Sequence, residues 1–387
     1  MPQSAKKIVA IIAPNSFKGS INAVEAARII GKAFTKADSR FEVVEMPIAD
    51  GGDHFAEVMT HALGGELREC ATVDALGQEV TAVYGLHRQK NIAVVEMARA
   101  SGLALLKETE LDPLKTSSFG TGLLIKNALD EGCRHILLGI GGSATNDAGT
   151  GILQALGFRF LNENGNELRG CGGNLGKIFR IDSSNADPRL QETTIRIACD
   201  VENPLLGENG CARVFAPQKG ASEQTVAILE QHMAAFCKLM EKHAGKALGS
   251  MPRGGAAGGI AAGLHAFLQA ELVNGIDLVL QELGFEEALA KAQLVVTAEG
   301  KLDQQTLEGK GPYGIAQKAK AAGKMVVAFA GAIPSENLEA FTAFDALFSI
   351  VSGPMPLQQA IEKGPGLLYT SASQAARLIA ASTRLNS

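Results

Sequence analysis

Nowhere in this chain do roughly 20 apolar residues run together, which excludes a helix that spans a bilayer. Lys6 and Lys7 precede the apolar run 8–13 in the manner of a secretory leader, but the run is short and no A-x-A cleavage signal follows. A first β-strand is expected there. The six cysteines (Cys70, Cys133, Cys171, Cys199, Cys211, Cys237) form no C-x-x-C pair, which argues against a zinc ribbon or disulfide framework and for reduced thiols in a cytoplasmic protein. Seven histidines include no H-E-x-x-H, and His54 and His61, seven apart on one expected helix face, read as surface residues. The formal charge is -5 with Lys and Arg dispersed, so the field that attracts a nucleic acid backbone is missing. No G-K-[ST] follows any glycine cluster, which excludes a Walker A loop, and neither an internal repeat nor a heptad pattern is found.

What the sequence has in excess is glycine, 44 residues of 387, against roughly 7% in ordinary proteins. The glycines cluster after apolar strands, where backbone must turn or approach something closely. At about 150 residues per domain the length favours two domains. The segment "KIVAIIAPNSFKGSINAVEAARIIGKAF" reads as a buried strand, a polar loop and an amphipathic helix. Asn22 and Glu25 stand at capping-box spacing, and Val24, Ala27, Ile30 and Phe34 mark the apolar face. "FEVVEMPIA" follows as a second strand, then a helix over about 55–63 that closes at Gly64 and Gly65. The same grammar returns in "LVVTAEGKLDQQT", "MVVAFAG" and "DALFSIVSG", so five strands are expected to form one parallel α/β sheet split in sequence. The domain limits expected are 1–65 with 288–387, and an inserted α/β domain over 66–287. Within the insertion, "ELRECATVDALGQEVTAVYGL" reads as a hairpin through residues 74–77. "RGGAAGGIAAGLHAFLQA" reads equally as a phosphate loop or as a helix of small residues packed against another backbone.

In open α/β sheets ligands gather at the carboxyl ends of strands. This sequence places Asn15, Ser16 and Lys18 there, then Asp50, Gly51, Gly52 and Asp53, then residues 143–147, Asp200, and finally Glu299, Lys301 and Asp303. Glycine turns offer N–H groups to phosphate, lysines neutralise transferred charge, and carboxylates hold Mg2+ or orient a hydroxyl, which together suit phosphoryl transfer. "HILLGIGGSATNDAGTG" also meets the G-x-G-x-x-G/A spacing of a dinucleotide turn at Gly139, Gly141 and Ala144. A nicotinamide-dependent hydroxy-acid oxidoreductase is therefore one alternative. Against it, polar residues 143–147 fill the point where a dinucleotide-binding helix should already have begun.

At these residues the sequence resembles the type I glycerate kinase family. The resemblance covers nearly the whole chain through "APNSFKGSINAVEAA", "MPIADGGD", "GIGGSATNDAGTGILQALG", "ACDVENPLLGENGCARVFAPQKGA", "GGAAGGIAAGLHAF" and "AEGKLDQQTLEGKGP". It implies ATP-dependent phosphorylation of D-glycerate to 2-phosphoglycerate, with Mg2+ accompanying ATP. The implied fold is a flavodoxin-like domain interrupted by a second α/β domain of restriction-endonuclease-like topology, with substrates meeting between the domains. The family motifs fall on Ser16, Lys18 and Gly19; on Asp50, Gly51 and Gly52; on Gly141, Gly142, Ser143, Thr145, Asn146 and Asp147; on Asp200, Asn203 and Pro204; and on Glu299, Asp303 and Thr306. Asn15 departs from the usual Asp and so is a poor base; Ala298 and Gln304 replace glycines. From chemistry alone, Asp200 is expected to orient the glycerate hydroxyl, Lys18 to offset phosphoryl charge, the 141–147 loop to cradle phosphate or carboxylate, and Glu299 and Asp303 to meet Mg2+. A glycerate 3-kinase and a sugar-acid-binding regulator stay open as alternatives. The expected partners are small molecules, not membrane or nucleic acid, and the oligomeric state, homo-oligomer included, is left open.

Overall fold

The structure, a computed structural model, describes residues 7–49, 54–303, 306–308, 311–334, 336 and 338–385. Asp50, Gly51, Gly52, Asp53 and Gln304 lie outside them. Along the chain, β1 (Ile8–Pro14), α1 (Ala23–Ala37) and β2 (Phe41–Glu45) precede α2 (Phe55–Leu63), β3 (Glu66–Val73), β4 (Glu79–His87), β5 (Ile92–Glu96) and α3 (Ala98–Ser101). Then come α4 (Phe119–Asp130), β6 (His135–Gly139), α5 (Thr150–Ala155), β7 (Arg159–Leu161), β8 (Arg180–Asp182) and β9 (Thr194–Ala198). Next are α6 (Cys211–Phe215), α7 (Glu223–Ala244), α8 (Ala256–Leu268), β10 (Glu271–Val273), α9 (Gly275–Glu282) and α10 (Phe285–Lys291). The last elements are β11 (Leu294–Lys301), α11 (Pro312–Ala321), β12 (Met325–Ala332), β13 (Ala346–Ser349) and α12 (Leu357–Leu385). Contacts divide the chain into Met1–Asp50 with Ile276–Ser387, and Gly51–Gly275.

The first unit is a five-stranded sheet in the order β13-β12-β11-β1-β2, with every pairing parallel. β1 is nearly continuous in apolar residues because it lies inside that sheet and is buried along its length. Thr297, opposite it on β11, is fully buried and donates its Oγ1 hydrogen to the Ala13 carbonyl at 2.7 Å, so its polarity is satisfied. Helix α1 starts where the Asn22 side chain accepts the Glu25 N–H at 2.8 Å. Ala27, Ile30 and Phe34 are buried as the spacing predicts, and Val24 is half-buried while Ala23, Ala26 and Ala33 complete the face. That face meets Leu368, Ala372, Ala376 and Ala380 of α12 in one core. The small alanines on both sides let the two helices approach closely.

The second unit carries a six-stranded sheet, β10-β9-β6-β5-β4-β3, in which β3, β4 and β5 are antiparallel neighbours and β5, β6, β9 and β10 are parallel. The expected hairpin is present and turns at residues 74–77, where the Asp74 carboxylate accepts the N–H groups of Leu76 and Gln78. The unit limits differ from those expected at 66 and 287. Helix α2 spans the expected residues and ends on Gly64 at φ 74°, but it packs on β4 and β5 and so belongs to the second unit. Most of α9 and all of α10 belong to the first. Hydrophobic periodicity locates a helix and does not say which sheet it covers.

Candidate active site

In the first unit the carboxyl ends of β1, β11 and β12 converge. Asn15 donates its backbone N–H to Ala298 at 2.8 Å and accepts the Ser16 N–H on its own side chain at 2.8 Å, so this residue shapes the loop and offers no base. Gly300 permits the approach: a Cβ there would lie 3.3 Å from the Lys18 backbone nitrogen and 3.4 Å from the Phe17 Cα. Ser16 is half-buried, whereas Lys18 and Gly19 are exposed, with Gly19 at φ 75°. Glu299 ends the buried part of β11 and is half-buried. Asp303 pairs with Lys301 at 3.2 Å, and its N–H is accepted by Thr306 Oγ1 at 3.1 Å. No group of three His, Cys, Asp or Glu side chains suited to a metal is present among the described residues. Mg2+ held beside a phosphate ligand needs only one or two protein carboxylates, and Glu299 and Asp303 are chemically able to supply them.

In the second unit the loop after β6 buries four polar side chains, Ser143, Thr145, Asn146 and Asp147. Its backbone is stitched on both sides: Leu103 N–H to Gly142 O at 2.8 Å, Ala144 N–H to Ser101 O at 2.9 Å, and Ala148 N–H to Gly258 O at 3.0 Å. Gly141 is half-buried, Gly142 is exposed, and Ser143 keeps only 6% of its surface. Thr145, Asn146 and Asp147 are fully buried.

Asp147 is fully engaged within the fold. Its Oδ2 accepts from Ser118 N–H and Ser118 Oγ, both at 2.8 Å, and from Gly151 N–H at 3.2 Å, while Oδ1 accepts the Gly149 N–H at 3.1 Å. All four donors belong to the starts of α4 and α5. Burial pushes the Asp147 carboxyl up, and the Ser118, Gly149 and Gly151 donors pull it back. Three backbone N–H groups face the two oxygens, and such donors favour the charged form. Asp147 ties two helix starts together.

The dinucleotide reading of Gly139, Gly141 and Ala144 fails on the same geometry. Such a site needs a helix that begins within the glycine turn, but α5 starts only at Thr150. Of the two readings of segment 253–270, the helix packed against another backbone is observed. Ala257, Gly258 and Gly259 are left-handed at φ 52°, 69° and 87°, and regular helix follows. A Cβ on Gly258 would stand 2.3 Å from Thr145 O and 2.5 Å from Asn146 Cα, so only glycine lets this turn press on the loop.

Asp200 follows β9 and accepts the Gly275 N–H on Oδ1 at 2.8 Å. Asn203 holds its own turn through Nδ2 to Asn209 O at 2.9 Å and accepts Gly255 N–H on its carbonyl at 3.0 Å, beside the half-buried Pro204. Nearby, Arg253 is held at φ 68°, with Nε and Nη2 each 2.8 Å from Glu202 Oε1.

Three residues escape the sequence-based reading. Lys219, in the block "APQKGA", is fully buried and gives its Nζ hydrogens to Ser143 Oγ at 2.8 Å and Thr145 O at 2.6 Å. Burial pulls its ammonium down to about 8. Glu96 ends β5, nearly buried, and accepts the Ala56 N–H at 3.1 Å with Arg99 Nε at 3.4 Å, which anchors the start of α2; burial pushes its carboxyl up. Arg253 is the third. None lies on a periodic pattern; a lysine between Pro217 and Gly220 in an apolar context was the one available signal for Lys219. His54 and His61 are exposed, and His54 Nδ1 meets Glu57 at 3.0 Å.

Comparison with known proteins bears on these loops together. The glycerate kinase family model matches residues 10–380. A glycerate kinase of Halalkalibacterium halodurans is 46% identical over 96% of this chain and 97% of its own. The glycerate 2-kinase of Escherichia coli K12 is 41% identical over 96% and 97%. A crystal structure assigned as glycerate kinase 2 from Salmonella typhimurium LT2 superposes with a TM-score of 0.90 at 38% identity, covering 98% of this chain and all of that one. With the polar loops following β1, β6, β9 and β11 inside the matched range, the chain belongs to the glycerate kinase family.

Proposed function

We propose that this protein is an ATP-dependent glycerate 2-kinase, transferring the γ-phosphoryl group of ATP to the 2-hydroxyl of D-glycerate. The observation that carries the reading is the match, along nearly the full length of both chains, to glycerate kinases that include a glycerate 2-kinase. The strand order of the first unit, counted within that unit as 2-1-3-4-5 and wholly parallel, supports a flavodoxin-like description of it. A restriction-endonuclease-like description of the second unit rests on the resemblance alone. The six unpaired cysteines agree with a cytoplasmic setting.

In the proposed reaction the glycerate oxygen attacks the γ-phosphorus, the bond to the ADP oxygen breaks, and the hydroxyl proton leaves toward a carboxylate. Because the transition state for phosphoryl transfer is loose, the protein contributes mainly position and charge. Asp200, its Oδ1 held by the Gly275 N–H, is our choice to orient the hydroxyl and take its proton. Lys18, exposed and with no ion pair to any described residue, is free to swing onto phosphoryl oxygens. Gly141, Gly142 and Ser143 supply the donors of an anion cradle; Thr145, Asn146 and Asp147 build it from below. Mg2+, where bound through Glu299 and Asp303, would neutralise phosphate charge.

The test is a coupled assay with ATP, Mg2+ and D-glycerate in which enolase is added without a mutase. Immediate phosphoenolpyruvate formation supports the 2-kinase. ADP release without it points to the 3-hydroxyl, and no ADP release removes the kinase reading.

A further inference from the structure

Lys219 poses a problem of charge. A fully buried ammonium normally sits against a carboxylate, yet Nζ bonds only to a hydroxyl and a carbonyl, and no carboxylate lies within ion-pair distance among the described residues. The acid nearest in effect is Asp147, whose oxygens are committed to α4 and α5. A methionine would fill such a place without a desolvation cost, so stability alone is a poor reason for this cation.

The hydrogen-bond directions suggest another. An ammonium has donors only, so Ser143 Oγ must accept from it, and the Ser143 hydroxyl proton must then go elsewhere. No described residue accepts that proton. Ser143 still reaches solvent at its edge, next to the exposed Gly142. Below it, Thr145 Oγ1 is buried without a hydrogen-bond partner among the described residues, and the buried Asn146 amide has only the weak partner offered by the Cys211 thiol, so the loop holds polar capacity that the fold uses little.

Resting on the reading of this loop as an anion cradle, we propose that Lys219 is a positioning residue: it fixes Ser143 Oγ as an acceptor, so that the polarised Ser143 hydroxyl donates outward to an anionic oxygen of a substrate. That oxygen belongs to the glycerate carboxylate or to an ATP phosphate, and the two substrates separate the cases. The ammonium acts through the serine and touches neither substrate. Its second bond, to Thr145 O, keeps the cation under the loop whether or not the anion is present.

The experiment is a double-mutant cycle on the full-length enzyme with Ser143→Ala, Lys219→Met and the pair, measuring KM for each substrate and kcat. The expected result is a rise of roughly 10-fold in KM for one substrate in each single variant, with kcat within about 3-fold, and no further rise in the pair. The substrate whose KM moves identifies the source of the anion. Ser143→Thr, which keeps the hydroxyl, should restore KM. If Ser143→Ala changes neither KM, the cradle reading falls and this inference with it. If it raises KM but Lys219→Met adds its full effect in the pair, the cradle stands and the Lys219 role is refuted.

A second measurement needs no Lys219 variant. The titratable groups facing Lys219 are Asp147 on the loop and Cys211 on α6, and Cys211 is pushed up to about 12, above the range used. In wild type the affected KM should climb at least 3-fold between pH 7 and 9 as Lys219 loses its proton, and Ser143→Ala should abolish the climb. A climb of equal size in Ser143→Ala would overturn the proposal.

Discussion

Replacing Asp147 with Asn tests whether one buried carboxylate organises the loop. The amide oxygen can keep the side of Oδ2, where Ser118 N–H, Ser118 Oγ and Gly151 N–H converge, but the amide nitrogen must then face the Gly149 N–H now 3.1 Å from Oδ1. A buried N–H left without an acceptor costs about 1–3 kcal/mol, and three bonds to a charge become bonds to a neutral oxygen, each weaker by up to about 1 kcal/mol. Relief of the carboxylate's desolvation offsets part of this, and the net loss is about 3 kcal/mol. For a folding unit of this size, that lowers the melting temperature of the second unit by roughly 6–12 °C. Scanning calorimetry of wild type, Asp147→Asn, Ser118→Ala and the double variant measures it. The two single effects should fall short of additivity, because they remove shared bonds. A shift under about 2 °C, or full additivity, would refute the claim that Asp147 holds the starts of α4 and α5 together.

Gly258→Ala should cut kcat/KM at least 10-fold in protein that retains its circular dichroism, because the new Cβ meets Thr145 O and displaces the loop; unchanged activity would show that the contact yields. Asp200→Asn should lower kcat by about 10²–10⁴-fold with little change in glycerate KM, and near-wild-type turnover would remove it as the base. Lys219 also makes a pH prediction whose sign follows from linkage. Its folded value of about 8 lies below the free value of 10.5, so the unfolded chain binds the proton more tightly, and stability from this group rises as pH climbs from about 8 toward 10.5. Cys133 and Cys199, pushed up to about 11, and Cys211 and Cys237, pushed up to about 12, act in the opposite sense as the unfolded thiols ionise. The quantity to read is therefore the stability of wild type minus that of Lys219→Met, which should grow by about 1 kcal/mol between pH 8 and 9 in urea unfolding. A difference that stays flat would mean that the ammonium is not desolvated.

The strands, the helices and the polar residues at strand ends were legible because each is a local property. Runs such as "IVAIIA" have nowhere to go but a sheet interior, and the 3–4 spacing of Ala27, Ile30 and Phe34 has one helical solution. Asn22 and Gly64 mark helix ends by chemistry confined to a single turn. The resemblance supplied what periodicity lacks, namely which loops belong together.

Asp147 shows where local reading ends. An acid at the end of a Ser-Thr-Asn run looks like a ligand-facing group, and only the folded chain brings Ser118, 29 residues away, onto its oxygens. Lys219 is the converse: an ordinary lysine in sequence, buried because Ser143 and Thr145, 76 and 74 residues upstream, receive its hydrogens. Helix α2 likewise has a recognisable length and end, but its sheet is chosen by Glu96 and by β4 and β5, which come later in the chain. What the sequence determines by itself is the pattern of burial and turning that each short segment prefers. Whether a charge faces solvent or the interior is decided by partners far away along the chain, because desolvating an ion is offset only by donors and acceptors that the tertiary fold delivers.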